Sequence, residues 1–183
     1  SGGKSSVEIP QWLHHLDLTA YEYQCGRGIK IGEETAKLIG KNAKKYGIAL
    51  SIHAPYYINF CTEDRDKLEK SKNHLLKTML LAKWMEADMV VFHPGSIGNM
   101  SRQQAFKNAA DALEKFLSNE VSRWGVEGIK ISPETMGKKR NLGTLDEVIE
   151  LCSIFNLEPT IDFAHIHAVG HGALKTKGDF ERV

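Results

Sequence analysis

Residue types that bind metal ions recur where apolar runs stop. Ile48, Leu50 and Ile52 lead into His53, with Pro55 just beyond. Met89-Val90-Val91-Phe92 leads into His93-Pro94-Gly95, and Ile129-Lys130-Ile131-Ser132 into Pro133-Glu134. Glu158-Pro159-Thr160-Ile161 leads into Asp162-Phe163-Ala164-His165. Proline has no N–H to give to a sheet, so its place beside these residues marks strand ends. His53, His93, Glu134 and Asp162 are therefore predicted to end four successive strands, at separations of 40, 41 and 28 residues. Side chains there stand at the rim of a sheet, where ligands are met.

Imidazole and carboxylate together suit zinc, since imidazole offers a borderline-soft nitrogen and a carboxylate can bridge two ions. A bridged pair can activate water at neutral pH and clamp both the attacking and the leaving oxygen of a phosphodiester. His165, three residues after Asp162, would serve the same site from a second angle. A single histidine at a strand end more often caps a turn or donates a hydrogen bond. The repetition at successive strand ends is what carries the metal reading.

The elements that must hold these residues are legible in outline. Val7–Leu16 is predicted helical, and Thr19–Gln24 alternates as a strand that runs into the loop Cys25-Gly26-Arg27-Gly28. Glu33–Tyr46 places Ala36, Ile39, Ala43 and Tyr46 on one helical face, with Gly47 as terminator. Thr62 is expected to cap a long helix reaching about Glu86, with Leu68, Leu75 and Met79 inward. Ser101-x-x-Gln104 and Thr144-x-x-Glu147 read as capping boxes, the second opening a short helix through Cys152. Ile166–Val183 reads as irregular.

Five strands joined by helices imply an α/β fold with a parallel sheet and helical crossovers. Either an open doubly wound sheet or a (β/α)8 barrel fits that order. Candidate residues at the ends of several strands favour the barrel, whose sites are assembled at the C-terminal face. A whole barrel takes about 250 residues, and this chain has 183. A single domain over 1–183 is expected, a partial barrel lacking a first strand and two or so final βα units. Ser1-Gly2-Gly3 reads as a cut or appended end.

Composition narrows the classes. The chain is 42% hydrophobic and 26% charged with net charge +1, so no global field draws it to a polyanion or a membrane. Three widely spaced cysteines suggest a reducing compartment and no disulfide framework. No run approaches the length of a membrane span and no signal peptide is visible, which leaves a cytoplasmic protein without membrane or protein partners as the default. His14, His15 and His74 read as solvent-facing or helix-packing residues, and Trp12, Trp84 and Trp124 as packing residues. His167 and His171 are candidates to orient a ligand from behind. Lys138-Lys139-Arg140, just past Glu134, reads as a solvated turn or, through Lys138, as a phosphate contact.

Four stretches resemble one family. H-A-P-Y-Y-I-N (53–59), F-H-P-G-S (92–96), P-E-T-M-G-K with N-L-G-T (133–144) and I-D-F-A-H (161–165) are similar, in that order, to AP endonucleases of the endonuclease IV type. Those are zinc-dependent barrel enzymes that cut DNA 5′ to abasic sites in base excision repair. The resemblance runs from about Ala20 to Gly170, with Y-x-I-N and E-T-x-G its most specific pieces. It implies one zinc on His53 and His93, with Glu134 as the catalytic carboxylate bridging to a second ion. Asp162 would hold that second ion and His165 a third, for two or three zinc ions in a full-length protein.

The resemblance also implies abasic duplex DNA as partner. Tyr56 matches a tyrosine on a loop that enters the minor groove. Gln24 and Arg27 lie where the family inserts side chains, although Y-Q-C-G-R-G departs from the bacterial form of that loop. Such enzymes flip the damaged nucleotide out and bend the duplex with wedge side chains. The family's later ligands (a further His, an Asp-x-His pair and a final Glu) have no match after His171, where Asp179 and Glu181 are the only acids. The isolated 183 residues are not expected to cleave. An alternative is a sugar isomerase or epimerase of the xylose isomerase-like superfamily, with one Mn²⁺ or Mg²⁺ on Glu134, Asp162 and His165. A non-catalytic metal- or sugar-binding relative is the third reading.

Overall fold

Four short parallel strands end at or just before Gln24, His53, His93 and Glu134 in the computed structural model, which describes residues 5–183. Ser1-Gly2-Gly3 lies outside them. The strands β1 (Ala20–Gln24), β2 (Ala49–His53), β3 (Met89–Phe92) and β5 (Lys130–Pro133) form one sheet in the order β1-β2-β3-β5. In register, Gln24 stands beside His53, His53 beside Val91, and Val91 beside Ser132. The row of strand ends is therefore level, which gathers side chains far apart in sequence onto one rim.

Helices cover the outer face. Alternation sends Leu50, Ile52, Val90, Phe92 and Ile131 outward, into a core shared with Ile39, Leu75, Met79, Leu113 and Phe116. Helices α1 (Ile9–His14), α2 (Glu33–Tyr46), α3 (Arg65–Met85), α4 (Arg102–Asn119) and α5 (Val121–Trp124) supply that layer, completed by α6 (Leu145–Phe155). α2 ends as its sequence dictates, on Gly47 at φ +65°. α2 also crosses α3 closely: a Cβ on Gly40 would stand 2.2 Å from the Met85 carbonyl oxygen. Only glycine fits there.

Several expectations need correction. Asp64, not Thr62, caps α3, its Oδ1 accepting from the N–H groups of Asp66 and Lys67; Thr62 Oγ1 accepts instead from Asp64 N. Ser101 caps α4, but Gln104 does not reciprocate, because its amide donates to Asn108 four residues on. The Thr144 capping box is complete, and α6 runs three residues past Cys152, to Phe155. The fifth strand shrinks to one parallel bridge, Glu134 with Thr160. Pro159 has no N–H to give, and Asp162 turns the chain directly into a helix. Ile166–Val183 is not irregular throughout, since it holds the end of α7 (Phe163–Val169) and all of α8 (Lys177–Phe180). A two-residue antiparallel ribbon, β4 (Gly95–Ser96) with β6 (Asn141–Leu142), adds a pairing the apolar pattern did not reveal.

Trp12 and Trp84 pack against the core as expected, whereas Trp124 is 42% exposed. The three cysteines are buried free thiols, pushed up by that burial to about 12 at Cys25 and Cys61 and about 11 at Cys152. No described helix is long and apolar enough to cross a membrane.

Candidate metal centre

The rim opens into a cleft of about 700 Å³. His53, His93, Glu134, Asp162 and His165 all line it, so every strand-end candidate reaches one place. Glu134 is at the centre. Its Oε2 lies 3.0 Å from His53 Nε2 and 2.9 Å from His93 Nε2. Its Oε1 lies 3.7 Å from His165 Nδ1, which is 3.6 Å from Asp162 Oδ2. Two sets of three donors result, His53–His93–Glu134 and Glu134–Asp162–His165, each with its ligand atoms within 4.8 Å of one another. Glu134 belongs to both.

Backbone groups aim these side chains. His53 Nδ1 donates to the Ala54 carbonyl at 2.7 Å, which leaves Nε2 turned toward Glu134. His165 Nδ1 donates to the Thr135 carbonyl at 2.8 Å. Tethers of this kind fix ring orientation in metal-binding histidines. Asp162 caps α7, accepting from His165 N at 2.8 Å, and its own N–H is held by Thr135 Oγ1 at 2.8 Å. Thr135 also donates from its backbone N–H to the Thr160 carbonyl. That buried threonine thus docks 160–165 onto β5, a role no local pattern announces.

Gly95 explains a second part of the arrangement. At φ +136° it lets the His93 turn pass Asn59, whose Oδ1 would lie 2.2 Å from any Cβ placed there. Phe60 N then donates to the Pro94 carbonyl at 2.9 Å. The loops after His53 and His93 are thereby locked together.

Electrostatics fit a cation site. Burial alone would push the Glu134 carboxyl up, but the bonds from His53 and His93 override it and hold it at about 2. Burial likewise opposes charge on His53, and the contacts with Glu134 and the Ala54 carbonyl outweigh it, raising that ring. Three imidazoles and two carboxylates converging without an ammonium among them form a donor set that suits zinc or another borderline divalent ion.

The remaining candidates divide. Tyr56 stacks on His93 with centroids 5.6 Å apart and meets His53 edge-on at 5.4 Å. Tyr56, Gln24 and Lys138 line the cleft, whereas Arg27 lies exposed in the adjoining loop, off the cleft wall. Arg140 turns away, donating to the Gly98 carbonyl and Asn99. His14 meets the Tyr46 ring at a tilt, as His74 does Tyr57, and neither lines the cleft. His167 and His171 are exposed; His167 Nδ1 accepts from Leu174 N, not from a candidate ligand. Glu22, which sequence reasoning passed over as one member of an alternating strand, also lines the cleft.

Known proteins are similar to this chain in sequence and in fold. A family model described as xylose isomerase-like TIM barrel matches residues 10–182. Uncharacterized protein MJ0133 of Methanocaldococcus jannaschii is 30% identical over 173 residues, 93% of this chain and 61% of that protein. The probable endonuclease 4 of Acholeplasma laidlawii is 28% identical over 152 residues, 77% of this chain and 50% of that protein. Endonuclease IV from Thermus thermophilus shares the fold with a TM-score of 0.66 at 20% identity, over 92% of this chain and 61% of that one. D-Psicose 3-epimerase from Clostridium cellulolyticum shares it with a TM-score of 0.73 at 10% identity, over 90% and 60%. The chain spans from half to three fifths of the length of these curated relatives.

Proposed function

The chain belongs to the xylose isomerase-like TIM barrel family, and on that premise we propose that it is the metal-binding part of a zinc-dependent endonuclease acting on abasic DNA. The reaction is hydrolysis of the phosphodiester 5′ to the abasic sugar. The 183 residues form one domain, a partial barrel. One observation carries the reading: Glu134 is common to two three-donor sets, the arrangement a bridging carboxylate needs.

His53, His93 and Glu134 would hold one ion, and Glu134, Asp162 and His165 another. His165 thus groups by geometry with the second ion's ligands, although the resemblance assigns it to a third. Zinc bound there would supply Lewis acidity toward a phosphoryl oxygen and lower the pKa of water. The chain's own groups do the placing. Tyr56 and Gln24 meet the duplex at the cleft mouth, Arg27 reaches it from the neighbouring loop, and Lys138 takes a phosphate. The endonuclease names among the relatives support a DNA substrate.

The test is metal content by elemental analysis of wild type and Glu134→Gln, for this chain and for a longer protein that carries it. Two or more zinc ions are expected, with the variant losing at least one while its circular dichroism is unchanged. In the longer protein the variant should cleave abasic duplex at least roughly 100-fold more slowly, since even outer partners of metal ligands cost 10–100-fold. Cleavage at the wild-type rate would overturn the bridging role.

A second reading has one observation in its favour. His53 and His93 both sit within hydrogen-bond distance of Glu134 Oε2, so they can orient that carboxylate instead of binding an ion. Glu134, Asp162 and His165 would then hold a single Mn²⁺ or Mg²⁺ for a sugar isomerase or epimerase. One manganese or magnesium per chain would select it.

A further inference from the structure

The wall of the cleft formed by β1 is built differently from the rest. Glu22 and Gln24, two residues apart on one strand, both point into the cleft. Gln24 Nε2 donates to Glu22 Oε1 at 2.7 Å, and Ser51 Oγ donates to Glu22 Oε2 at 3.3 Å. The Gln24 amide has no choice of orientation. Reversed, its carbonyl oxygen would face a carboxylate oxygen at hydrogen-bond distance. Its Oε1 is therefore turned the other way, to the side where the Tyr56 hydroxyl lies 3.5 Å off. Each Glu22 oxygen keeps lone-pair capacity beyond the one bond it accepts. The wall is rich in acceptors and carries negative charge.

Of the three carboxylates that line the cleft, Glu134 and Asp162 belong to the candidate ion sites, which leaves Glu22 as the one on the β1 wall. Lys138 is the one ammonium or guanidinium among the cleft's described lining residues. It follows β5, at the far end of the sheet order from β1, which carries Glu22. A phosphate beside Glu22 would be repelled, and beside Lys138 attracted. A neutral hydroxyl beside Glu22 would instead donate a charge-assisted hydrogen bond, roughly twice as strong as a neutral one.

We infer that Glu22 and Gln24 form a hydroxyl-reading wall that recognises the sugar of the substrate, while its phosphate lies toward Lys138. Glu22 is also the positioning residue for Gln24. The inference rests on the abasic-site reading above and sharpens it. In an abasic nucleotide within a strand, O3′ and O5′ are both esterified, so the free hydroxyl is the one on C1′. The damaged sugar is then read by the group that loss of the base creates.

The experiment is binding of the full chain to three labelled duplexes of one sequence, followed by fluorescence anisotropy, with uncut DNA confirmed on a denaturing gel. One carries a natural abasic sugar, one the tetrahydrofuran analogue that lacks the C1′ hydroxyl, and one is intact. Wild type should bind the abasic duplex about tenfold tighter than the tetrahydrofuran duplex, the size of one hydrogen bond to a charged acceptor. Glu22→Gln and Gln24→Met should each bring that ratio close to one. Equal binding of the two damaged duplexes by wild type, or an unchanged ratio in both variants, would overturn the inference. No preference for either damaged duplex over the intact one overturns the abasic-site reading itself. The two failures are separable because the tetrahydrofuran duplex reports damage recognition without the hydroxyl.

Discussion

Tyr56 is 55% exposed, yet its ring is held on one face by His93 and at its edge by His53. More than half of the residue remains open to solvent. If it meets DNA, Tyr56→Ala should weaken binding to abasic duplex by about tenfold, since stacking on an aromatic is worth about 1–3 kcal/mol. Metal content should not change, because no atom of Tyr56 belongs to either donor set. Equal loss of metal and binding would place the tyrosine in the ligand shell. His53, His93, Glu134 and Asp162 were legible because each follows its own apolar run, and the run announces the strand end. Glu22 was not, because a charged residue in an alternating strand looks like a solvated face until the sheet shows where that face points. Thr135 was hidden for a different reason: its partners Thr160, Asp162 and His165 lie 25 to 30 residues on, and hydrogen bonds of that range leave no periodicity.

Among the elements, α6 shows how a cap signature can do two jobs. Glu147 closes the capping box with Thr144 and accepts from Gly143 N at 2.8 Å. It also takes a two-pronged bond from Arg102 on α4, through Nε at 2.7 Å and Nη2 at 2.6 Å. Arg102 in turn donates to the carbonyls of Lys139 and Asn141, which pins the loop that carries Lys138. Burial pushes the Glu147 carboxyl up, but Arg102 and the two backbone N–H groups win and hold it below the ordinary 4.5. A carboxyl depressed by folding stabilises the fold above its unfolded value and loses that contribution as pH falls through the folded one. Glu147→Gln should therefore cost about 1–2 kcal/mol at neutral pH, the lower part of the range for a charged hydrogen bond, since the Arg102 side chain keeps 38% exposure and is screened. The gap to wild type in urea denaturation should narrow below pH 4.5. A constant gap would show that the charge is not what matters. Helices α1 to α4 and α6 are legible in outline from caps and periodicity, whereas α5, α7 and α8 are too short to show a period; at 158–161 an apolar run and a proline do not reveal how few ladder bonds a segment can make. Asn59 and Gly95 belong to two stretches that resemble the family, and the close passage of the two loops gives that pairing its physical cause.

At the scale of the molecule, net charge is +1 and the cleft offers one ammonium among its described residues. Association with duplex DNA should therefore depend weakly on salt, with a slope of log K on log salt of about −1 to −3, the signature of one to three neutralised phosphates. Anisotropy titrations across a range of sodium chloride would measure it, and a slope near −6 would mean that the basic residues outside the cleft make the contact. The α/β alternation and the gathering of the candidate site at a sheet rim can be read from the sequence, because connection order and strand-end chemistry are both local. How many strands pair could not, because pairing is decided between segments. The sheet begins with β1, whose outer side has no strand beside it among the described residues. A row of backbone N–H and C=O groups in that position is a template, and it does not discriminate between its intended neighbour and a stranger. Left uncovered, the β1 edge should favour growth by adding copies edge to edge in concentrated solution, and covering it should keep the polypeptide dispersed.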